Sequence, residues 1–363
     1  MNTTTKSFSD IFTETNLTPP SAKDEDWIYY NLDELNQFEL LDNESKEATI
    51  ETSTYFIYFI NNELVKYNLP ENTELTKDSI PLKETKNAFI QLIKQNEYKL
   101  TLNNCNETID IIYDCDNNNK SYINVIINDS NVILNRVFIN KNNGIQINGL
   151  NTIIKKNSSL LIQERNIDNN GFTLDFVDTE LFENAVFKSI NESYSSTNSR
   201  FQNRVFINGI KGYAKLHGLA INEEDRKSFY NTHVYHQVED TESHQLFKSL
   251  NKDNATFEYN GKVSVEKDAQ QINSYQLNQN ILLDEYANVY SRPQLFIDAD
   301  DVKCTHGSTT GDINQDQLFY LKSRGLSDNQ SKKIILRGFI EDVISISSHT
   351  DINTINKILN KVV

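Results

Sequence analysis

A cysteine and a histidine two positions apart, preceded by three carboxylates, form the stretch of sequence best suited to chemistry. Cys304 and His306 would point to the same side of an extended segment, because side chains alternate along a strand. A thiolate and an imidazole on one face can bind a soft or borderline metal ion, and Asp298, Asp300 and Asp301 would add negative charge. The plainer alternative is a buried Cys304 and a surface His306. Spacing alone favours that alternative.

A second cluster contains His233, His236 and His244, with acidic residues between the last two. These three imidazoles could form a metal site. No cysteine accompanies them, and their spacing fits no common zinc pattern. Hydrogen-bonded or solvated histidines on a β surface are therefore the favoured interpretation.

Signs of catalysis are few. The chain lacks the GxSxG nucleophile turn, the HExxH metalloprotease motif and the GxxxxGK[ST] phosphate loop. Cys304 and His306 are disfavoured as nucleophile and base, since a two-residue spacing rarely allows a hydrogen bond between them. A polysaccharide-cleaving enzyme could use the nearby aspartates, but the polar residues 1–16 lack the apolar region of a secretion signal. We expect a non-catalytic protein.

Short β-prone runs separated by Asn, Asp or Gly fill the chain from about residue 100 to 305. Such runs predict a sandwich, a barrel or a β-solenoid. A βαβ sheet is disfavoured, because no strong helical pattern interrupts them. The runs show no clean repeat period. Predicted strands include Thr54–Ile60, Gly144–Ile147, Thr152–Ile154, Ala255–Tyr259 and Lys262–Val265.

The sequence after Gly311 has the pattern of a helical tail. Asn314 and Ser327 each precede a Gln by three residues, as in a capping box, and Gly325 stands where a helix would end. The second of these helices would carry an apolar face formed by Ile335, Phe339 and Val343, with Leu336 and Ile340 beside it.

These patterns divide the chain into three predicted regions. Residues 1–100 form an N-terminal helical or mixed region, residues 101–311 form the β core, and residues 312–363 form a C-terminal helical domain.

Composition narrows the classes of partner. The 363 residues carry a formal net charge of -16, which disfavours nucleic acid and anionic membrane surfaces as partners. No stretch has the apolar length of a membrane span. Three widely spaced cysteines argue against a disulfide framework and for a reducing compartment. We expect a cytoplasmic protein, or one of the plastid stroma.

Residues 233–325 contain many ordered pieces at a spacing typical of one protein family. These pieces are His236, Ser243–Lys248, Tyr259–Val265, Asp268–Gln271, Gln276–Leu283, Arg292–Leu295, Ala299–Gly307 and Leu318–Gly325. With these pieces, the segment resembles the C-terminal core of the SufB/SufD family of iron–sulfur cluster assembly proteins. The N-terminal Glu25–Tyr29 is similar to an acidic-Trp-Lys-Tyr segment of the family, with Ile28 in place of the usual Lys.

The resemblance implies a right-handed parallel β-helix with small helical N- and C-terminal domains. It implies a scaffold subunit of the SufD branch that pairs edge to edge with a SufB-like subunit, or with itself where that subunit is absent. A SufC-like ABC ATPase would dock on residues 312–363 and hydrolyse ATP. Complexes of this family bind flavin, for which the chain carries no recognisable motif.

The resemblance also assigns the candidate site. Cys304 matches a cysteine common to both branches, and His306 matches a SufD histidine facing the SufB partner. Both would hold iron or a transient iron–sulfur cluster at the subunit interface. The alternatives are a SufB-like cluster scaffold and a carbohydrate-active or structural β-solenoid.

Overall fold

The computed structural model describes residues 12, 18–21, 23–27, 52–61, 63–77, 88–93, 97–115, 118–140, 144–167, 171–194, 198–348, 350 and 352–363. More than half of residues 1–100, the region predicted to be helical or mixed, therefore lies outside the described residues. The exceptions include a buried Phe12 and a 3₁₀ turn at Glu25–Trp27.

Nineteen strands run through the described part of the chain. In chain order they are β1 (Tyr55–Ile60), β2 (Glu63–Asn68), β3 (Thr73–Thr76), β4 (Glu97–Asn103), β5 (Thr108–Cys115), β6 (Asn118–Asn128), β7 (Asn131–Asn140), β8 (Ile145–Ile154), β9 (Ser159–Ile167), β10 (Phe172–Leu181), β11 (Val186–Ser193), β12 (Asn198–Ile207), β13 (Tyr213–Asn222), β14 (Lys227–His236), β15 (Glu242–Asn251), β16 (Thr256–Val265), β17 (Ile272–Leu282), β18 (Asn288–Ile297) and β19 (Val302–Gly311). The helices are α1 (Ala88–Ile93), α2 (Gln315–Ser323), α3 (Asp328–Ile340) and α4 (Ile352–Val362), with a 3₁₀ turn at Val343–Ile346.

From β4 onward, successive strands alternate between two sheets, and each pairs in parallel with the strand two further along the chain. One sheet has ten strands and ends in β19, and the other has nine and ends in β18. The inward side chains of successive coils stack into one apolar core that extends from Ile57 to Tyr259. The predicted parallel β-helix is confirmed.

The two ends of this β-helix differ. At the first end, β2 pairs with β1 and β3 pairs with β4, both antiparallel, so a reversed strand covers the edge of each sheet. At the other end, β18 and β19 are the last strands of their sheets within the described residues. Their outer edges carry no paired strand from this part of the chain. Open strand edges invite pairing with another chain.

Asparagine and aspartate occupy the tight corners between coils. Asn104, Asp129, Asn157, Asn184 and Asp240 all have a positive φ, between 46° and 58°. These residue types enter the left-handed region at lower cost than other non-glycine residues. A few of the many asparagines of the chain therefore have a structural use at these corners.

Two glycines predicted to separate strands instead lie inside them. Gly149 is in β8 and Gly261 is in β16, so each pair of predicted short strands is one continuous strand. A Cβ at Gly149 would lie 2.4 Å from the Cδ2 atom of Tyr122, and one at Gly261 would lie 2.2 Å from the hydroxyl of Tyr259. These glycines make room for aromatic rings of the core, a use that a turn signal does not distinguish.

The C-terminal helices pack on the outer face of the ten-stranded sheet, where β13, β15 and β17 meet Leu336, Ile340 and Val343. Lys248 of β15 donates to the carbonyl of Phe339 at 2.7 Å and to Asp342 at 2.9 Å. The predicted apolar face is shifted, because α3 ends at Ile340 and Val343 lies in the following 3₁₀ turn. Phe339, like Ile335, is therefore only half-buried.

The helix ends agree with the capping residues predicted from the sequence. Ser327 and Gln330 form a complete capping box, and Asn314 accepts a hydrogen bond from the backbone N–H of Gln317 at 3.0 Å. Gly325 follows α2 with a φ of +92°.

A charged cluster lies inside the β-helix. The guanidinium of Arg136 in β7 bonds Asp175 at 2.6 and 2.8 Å and also contacts Glu164. The rings of Tyr113 and Phe138 lie 5.5 and 5.0 Å from its central carbon. Burial, together with the nearby Asp175 carboxylate, raises the pKa of Glu164 to about 7.

Candidate functional site

Cys304 and His306 lie on β19, the last strand of the ten-stranded sheet. In the parallel ladder, Cys304 stands beside Ser274 and His306 stands beside Gln276. Both β17 partners are almost completely buried within the coil, at 1% and 0% exposure. Strand alternation therefore places both side chains on the inward side of β19, at the end of the β-helix.

The surroundings of the two candidate ligands differ. Cys304 is half-buried and packs against an apolar cluster that includes Val263, Ile272 and Ala299. Burial raises the pKa of this thiol, and the backbone N–H of Ser274 acts in the opposite direction. His306 is exposed. One soft ligand at the edge of the core thus stands next to one solvated imidazole.

The acidic residues before this pair do not complete a metal site. Asp298, Asp300 and Asp301 are exposed and lie in the short connection between β18 and β19. Within the described residues, no three side chains of His, Cys, Asp or Glu are grouped closely enough to hold a metal ion. Among the described residues, the candidate pair Cys304 and His306 therefore has too few neighbouring side chains for a closed metal site, which needs about four ligands.

The second histidine cluster has structural roles. His233 bonds the hydroxyl of Ser264 at 2.8 Å, and its ring stacks on Tyr235 with the centroids 3.7 Å apart. Burial lowers its pKa to about 4. His244 lies 2.5 Å from Glu242. All three imidazoles are hydrogen-bonded, as the favoured interpretation expected, but His236 is buried within the coil and does not lie on the surface.

His236 belongs to a buried hydrogen-bonded line that leads to the candidate site. Its Nδ1 lies 2.7 Å from the hydroxyl of Thr241, and its Nε2 lies 2.9 Å from that of Ser243. The hydroxyl of Ser243 lies 2.8 Å from that of Ser274, the ladder neighbour of Cys304. The family-like pieces include Ser243, but the sequence did not predict that these hydroxyl groups are linked, because isolated Ser and Thr residues carry no pattern.

The open end formed by β18 and β19 is named here the pairing face. Ser291 of β18 and Ser308 of β19 bridge the two strands, with their hydroxyls 2.8 Å apart. Large apolar side chains stand exposed beside it, including Tyr290, Phe296 and Ile297 of β18. Exposed aromatic and aliphatic side chains are common at protein interaction sites.

A groove of about 980 Å³ separates the pairing face from the C-terminal helices. Thr309 and Thr310 of β19 line one wall, and Tyr320 and Ile334 of α2 and α3 line the other. Tyr320 and Ile334 are 56% and 49% exposed, and the neighbouring Phe319 is 75% exposed.

None of the helices within the described residues reaches the length and apolarity that crossing a membrane requires.

Comparison with known proteins agrees with this architecture. The family described as "SUF system FeS cluster assembly, SufBD core domain" matches residues 117–339, which cover β6 to β19, all of α2 and all but the last residue of α3. The match therefore includes the candidate ligands and the pairing face.

Individual relatives are similar over shorter stretches. The iron–sulfur cluster assembly protein SufD of Escherichia coli K12 is 32% identical over 137 residues, which are 38% of this chain and 32% of that protein. An iron–sulfur cluster assembly SufBD family protein of Synechocystis is 37% identical over 102 residues, 28% of this chain and 22% of the relative. SufD of Plasmodium falciparum is 27% identical over 238 residues, 64% of this chain and 16% of the relative.

In each case the chain spans about a third of the relative's length or less. The family match nevertheless extends over more than half of this chain, on the coils and the last strand described above. The chain belongs to the SufBD family of the SUF system for iron–sulfur cluster assembly.

Proposed function

We propose that this chain is a SufD-like, non-catalytic scaffold subunit that pairs through its open end with a SufB-like β-helical subunit. The difference between the two ends carries the proposal. Reversed strands cover both sheets at the first end, whereas β18 and β19 have no such cover from the described residues. A partner strand at this edge would satisfy the open backbone groups and bury the exposed side chains of β18.

The same face would hold the cargo. Cys304 and His306 offer one soft and one borderline ligand, which suit iron or an iron–sulfur cluster, and the partner would supply the remaining ligands. The shortage of ligands within the described residues supports this division between two chains. Cluster or iron would then be bound only when the two subunits meet.

The C-terminal helices would dock a SufC-like ABC ATPase. Phe319, Tyr320 and Ile334 form an exposed apolar set on α2 and α3, next to the groove. These helices lie on the sheet that ends in β19, so closure of the ATPase could shift the pairing face. Hydrolysis of ATP would belong to the ATPase, and flavin binding by the assembled complex stays a prediction.

A SufB-like role is the alternative within the family. In that role Cys304 would be more important than His306 for holding the cluster.

The three cysteines are all free thiols. Free thiols suit a reducing compartment such as the bacterial cytosol or the plastid stroma.

Capture of partners from the native extract by a tagged chain tests the proposal. We expect a SufB-like chain and an ABC ATPase to copurify with the wild type. Ser308→Lys places a charge on the pairing face and should reduce capture of the SufB-like chain about tenfold or more. Ile210→Lys, at an exposed position in the turn between β12 and β13, is the control that adds a charge away from the pairing face, and it should capture the SufB-like chain normally.

Docking of the ATPase is tested with a surface variant, because removal of residues 312–363 would also expose the sheet on which those helices pack. Phe319→Ser combined with Ile334→Asn should lose the ATPase and keep the SufB-like chain. Ile210→Asn, at another exposed apolar position, is its control. Recovery of the wild-type chain without partners, from an extract that contains both of them, would contradict the proposed complex.

A further inference from the structure

The side chain of Gln276 lies inside the β-helix, one strand away from the candidate site. Gln276 is in β17, is fully buried at 0% exposure, and pairs with His306 of β19 in the parallel ladder. Neighbouring strands of a sheet are about 4.8 Å apart, and residues in register send their side chains to the same face. The carboxamide of Gln276 is therefore within reach of the imidazole of His306.

The carbonyl oxygen of this carboxamide lacks a donor. Neither Oε1 nor Nε2 of Gln276 has a hydrogen bond of good geometry to a described residue. The hydroxyl of Tyr259 contacts the carboxamide, and it also donates to Gln245 at 3.3 Å. A hydroxyl carries a single proton, so toward Gln276 it can only accept, from Nε2. That contact leaves Oε1 unused.

The fold keeps space for the carboxamide of Gln276 across the core. A Cβ at Gly261 of β16 would lie 2.2 Å from its Nε2, so a larger residue at that position would displace the amide. A buried acceptor with no donor is rare in native proteins, and a leucine would fill the same space without an unpaired polar group. A use at the site therefore explains this glutamine better than packing does.

The imidazole of His306 needs an orienting group if it is to bind a metal. It is exposed at the end of the β-helix. A metal-binding histidine usually donates a hydrogen bond from its other ring nitrogen to a carbonyl or a carboxylate, which fixes the ring and raises the affinity for the metal. The Oε1 of Gln276 is a carbonyl oxygen of this kind, in ladder register with His306.

We propose that Gln276 is a positioning residue for His306, and that its Oε1 accepts the N–H of the imidazole nitrogen that does not bind iron. This inference rests on the proposed binding of iron or a cluster by His306. The hydrogen bond turns the other ring nitrogen toward the cargo. Gln276 itself does not touch the cargo and takes no part in the pairing of the subunits.

Two replacements of Gln276 separate positioning from packing. Each complex is coexpressed with the SufB-like chain and the ATPase and purified without oxygen, and the iron it retains is measured against increasing chelator. Gln276→Leu has no acceptor, so the chelator concentration that removes half of the iron should fall about tenfold or more. Gln276→Glu keeps an acceptor at the same distance and should stay close to the wild type.

Thermal unfolding of the isolated chains shows whether stability explains this order. Gln276→Leu removes an unpaired carbonyl and should melt no lower than the wild type, whereas Gln276→Glu buries a carboxyl group and should melt lower. A role in packing alone would give the reverse order of iron retention. Gln146→Leu, at another fully buried glutamine in β8, is the control and should retain iron as the wild type does.

The iron held by the wild-type complex distinguishes this role from the proposed function itself. When the wild-type complex holds iron, undiminished retention by Gln276→Leu, or equal losses in Gln276→Leu and Gln276→Glu, would overturn the inference and leave the proposed function standing. A wild-type complex that forms but holds no iron would refute the proposed cargo, and with it the role of Gln276.

Discussion

The imidazole of His217 donates a hydrogen bond from Nδ1 to the carbonyl of Val343 at 2.6 Å, which ties β13 to the turn after α3. A carbonyl oxygen can only accept, so the ring carries its proton on Nδ1. The bond joins the β-helix to the C-terminal helices at a position that is almost fully buried. The attachment of those helices therefore depends on a titratable group.

Acid should weaken this attachment. Burial lowers the pKa of His217 to about 4, below its ordinary value of 6.5. The contribution of neutral His217 to stability is complete above pH 6.5 and is lost as the pH falls through 4, up to about 3 kcal/mol. Urea unfolding at pH 7 and pH 5 measures the loss.

Replacement of His217 measures how much this residue contributes to the loss of stability in acid. His217→Gln keeps an N–H donor that cannot titrate, so the variant should lose less stability between pH 7 and pH 5 than the wild type. His306→Gln, at an exposed position, is the control and should follow the wild type. Equal acid sensitivity in all three proteins would show that His217 does not control the loss.

The buried cluster around Arg136 should be costly to break. Arg136→Met would leave the carboxylates of Glu164 and Asp175 without their cation inside the β-helix, at a cost of roughly 3–5 kcal/mol. Lys156→Met removes an exposed ion pair with Glu183 and should cost about 1 kcal/mol or less. Equilibrium unfolding in urea gives both values. A cost for Arg136→Met no larger than for Lys156→Met would contradict the role assigned to the cluster.

Glycines in different positions should respond in opposite directions. Gly149→Ala forces a methyl group against Tyr122 and should destabilise the chain by about 1–3 kcal/mol. Gly338→Ala, inside α3 with no heavy atom within 4 Å of the added Cβ, should stabilise it by up to about 1 kcal/mol. Melting temperatures of the two variants test the difference. Similar shifts for both would contradict the packing described for Gly149.

The fold was predictable to different degrees at different levels. Strand content and the helical tail follow from the local apolar patterns, but those patterns did not separate a β-helix from a sandwich. The variable length of the coils explains why the sequence shows no clean repeat. Thr108 pairs with Ile133 and Thr256 pairs with Asn288, so the ladder offset varies from 25 to 32 residues and no fixed repeat appears. The resemblance to a family supplied what the period could not.

The candidate site was predictable as a pair of residues, and its surroundings were not. Alternation along one strand places Cys304 and His306 on one side, and this requires only local structure. The position of that strand at an open end depends on the whole stack of coils. The contact of Ser274 with Ser243 joins residues that are 31 positions apart, so no local pattern contains it.

The most direct test of the central claim is the iron and sulfide content of the complex, purified without oxygen after coexpression with the SufB-like chain and the ATPase. The wild type should carry bound iron with the visible absorption of an iron–sulfur cluster. His306→Ala and Cys304→Ser should assemble into the same complex and lose most of that iron. Intact complexes of both variants with wild-type iron and absorption would contradict the account.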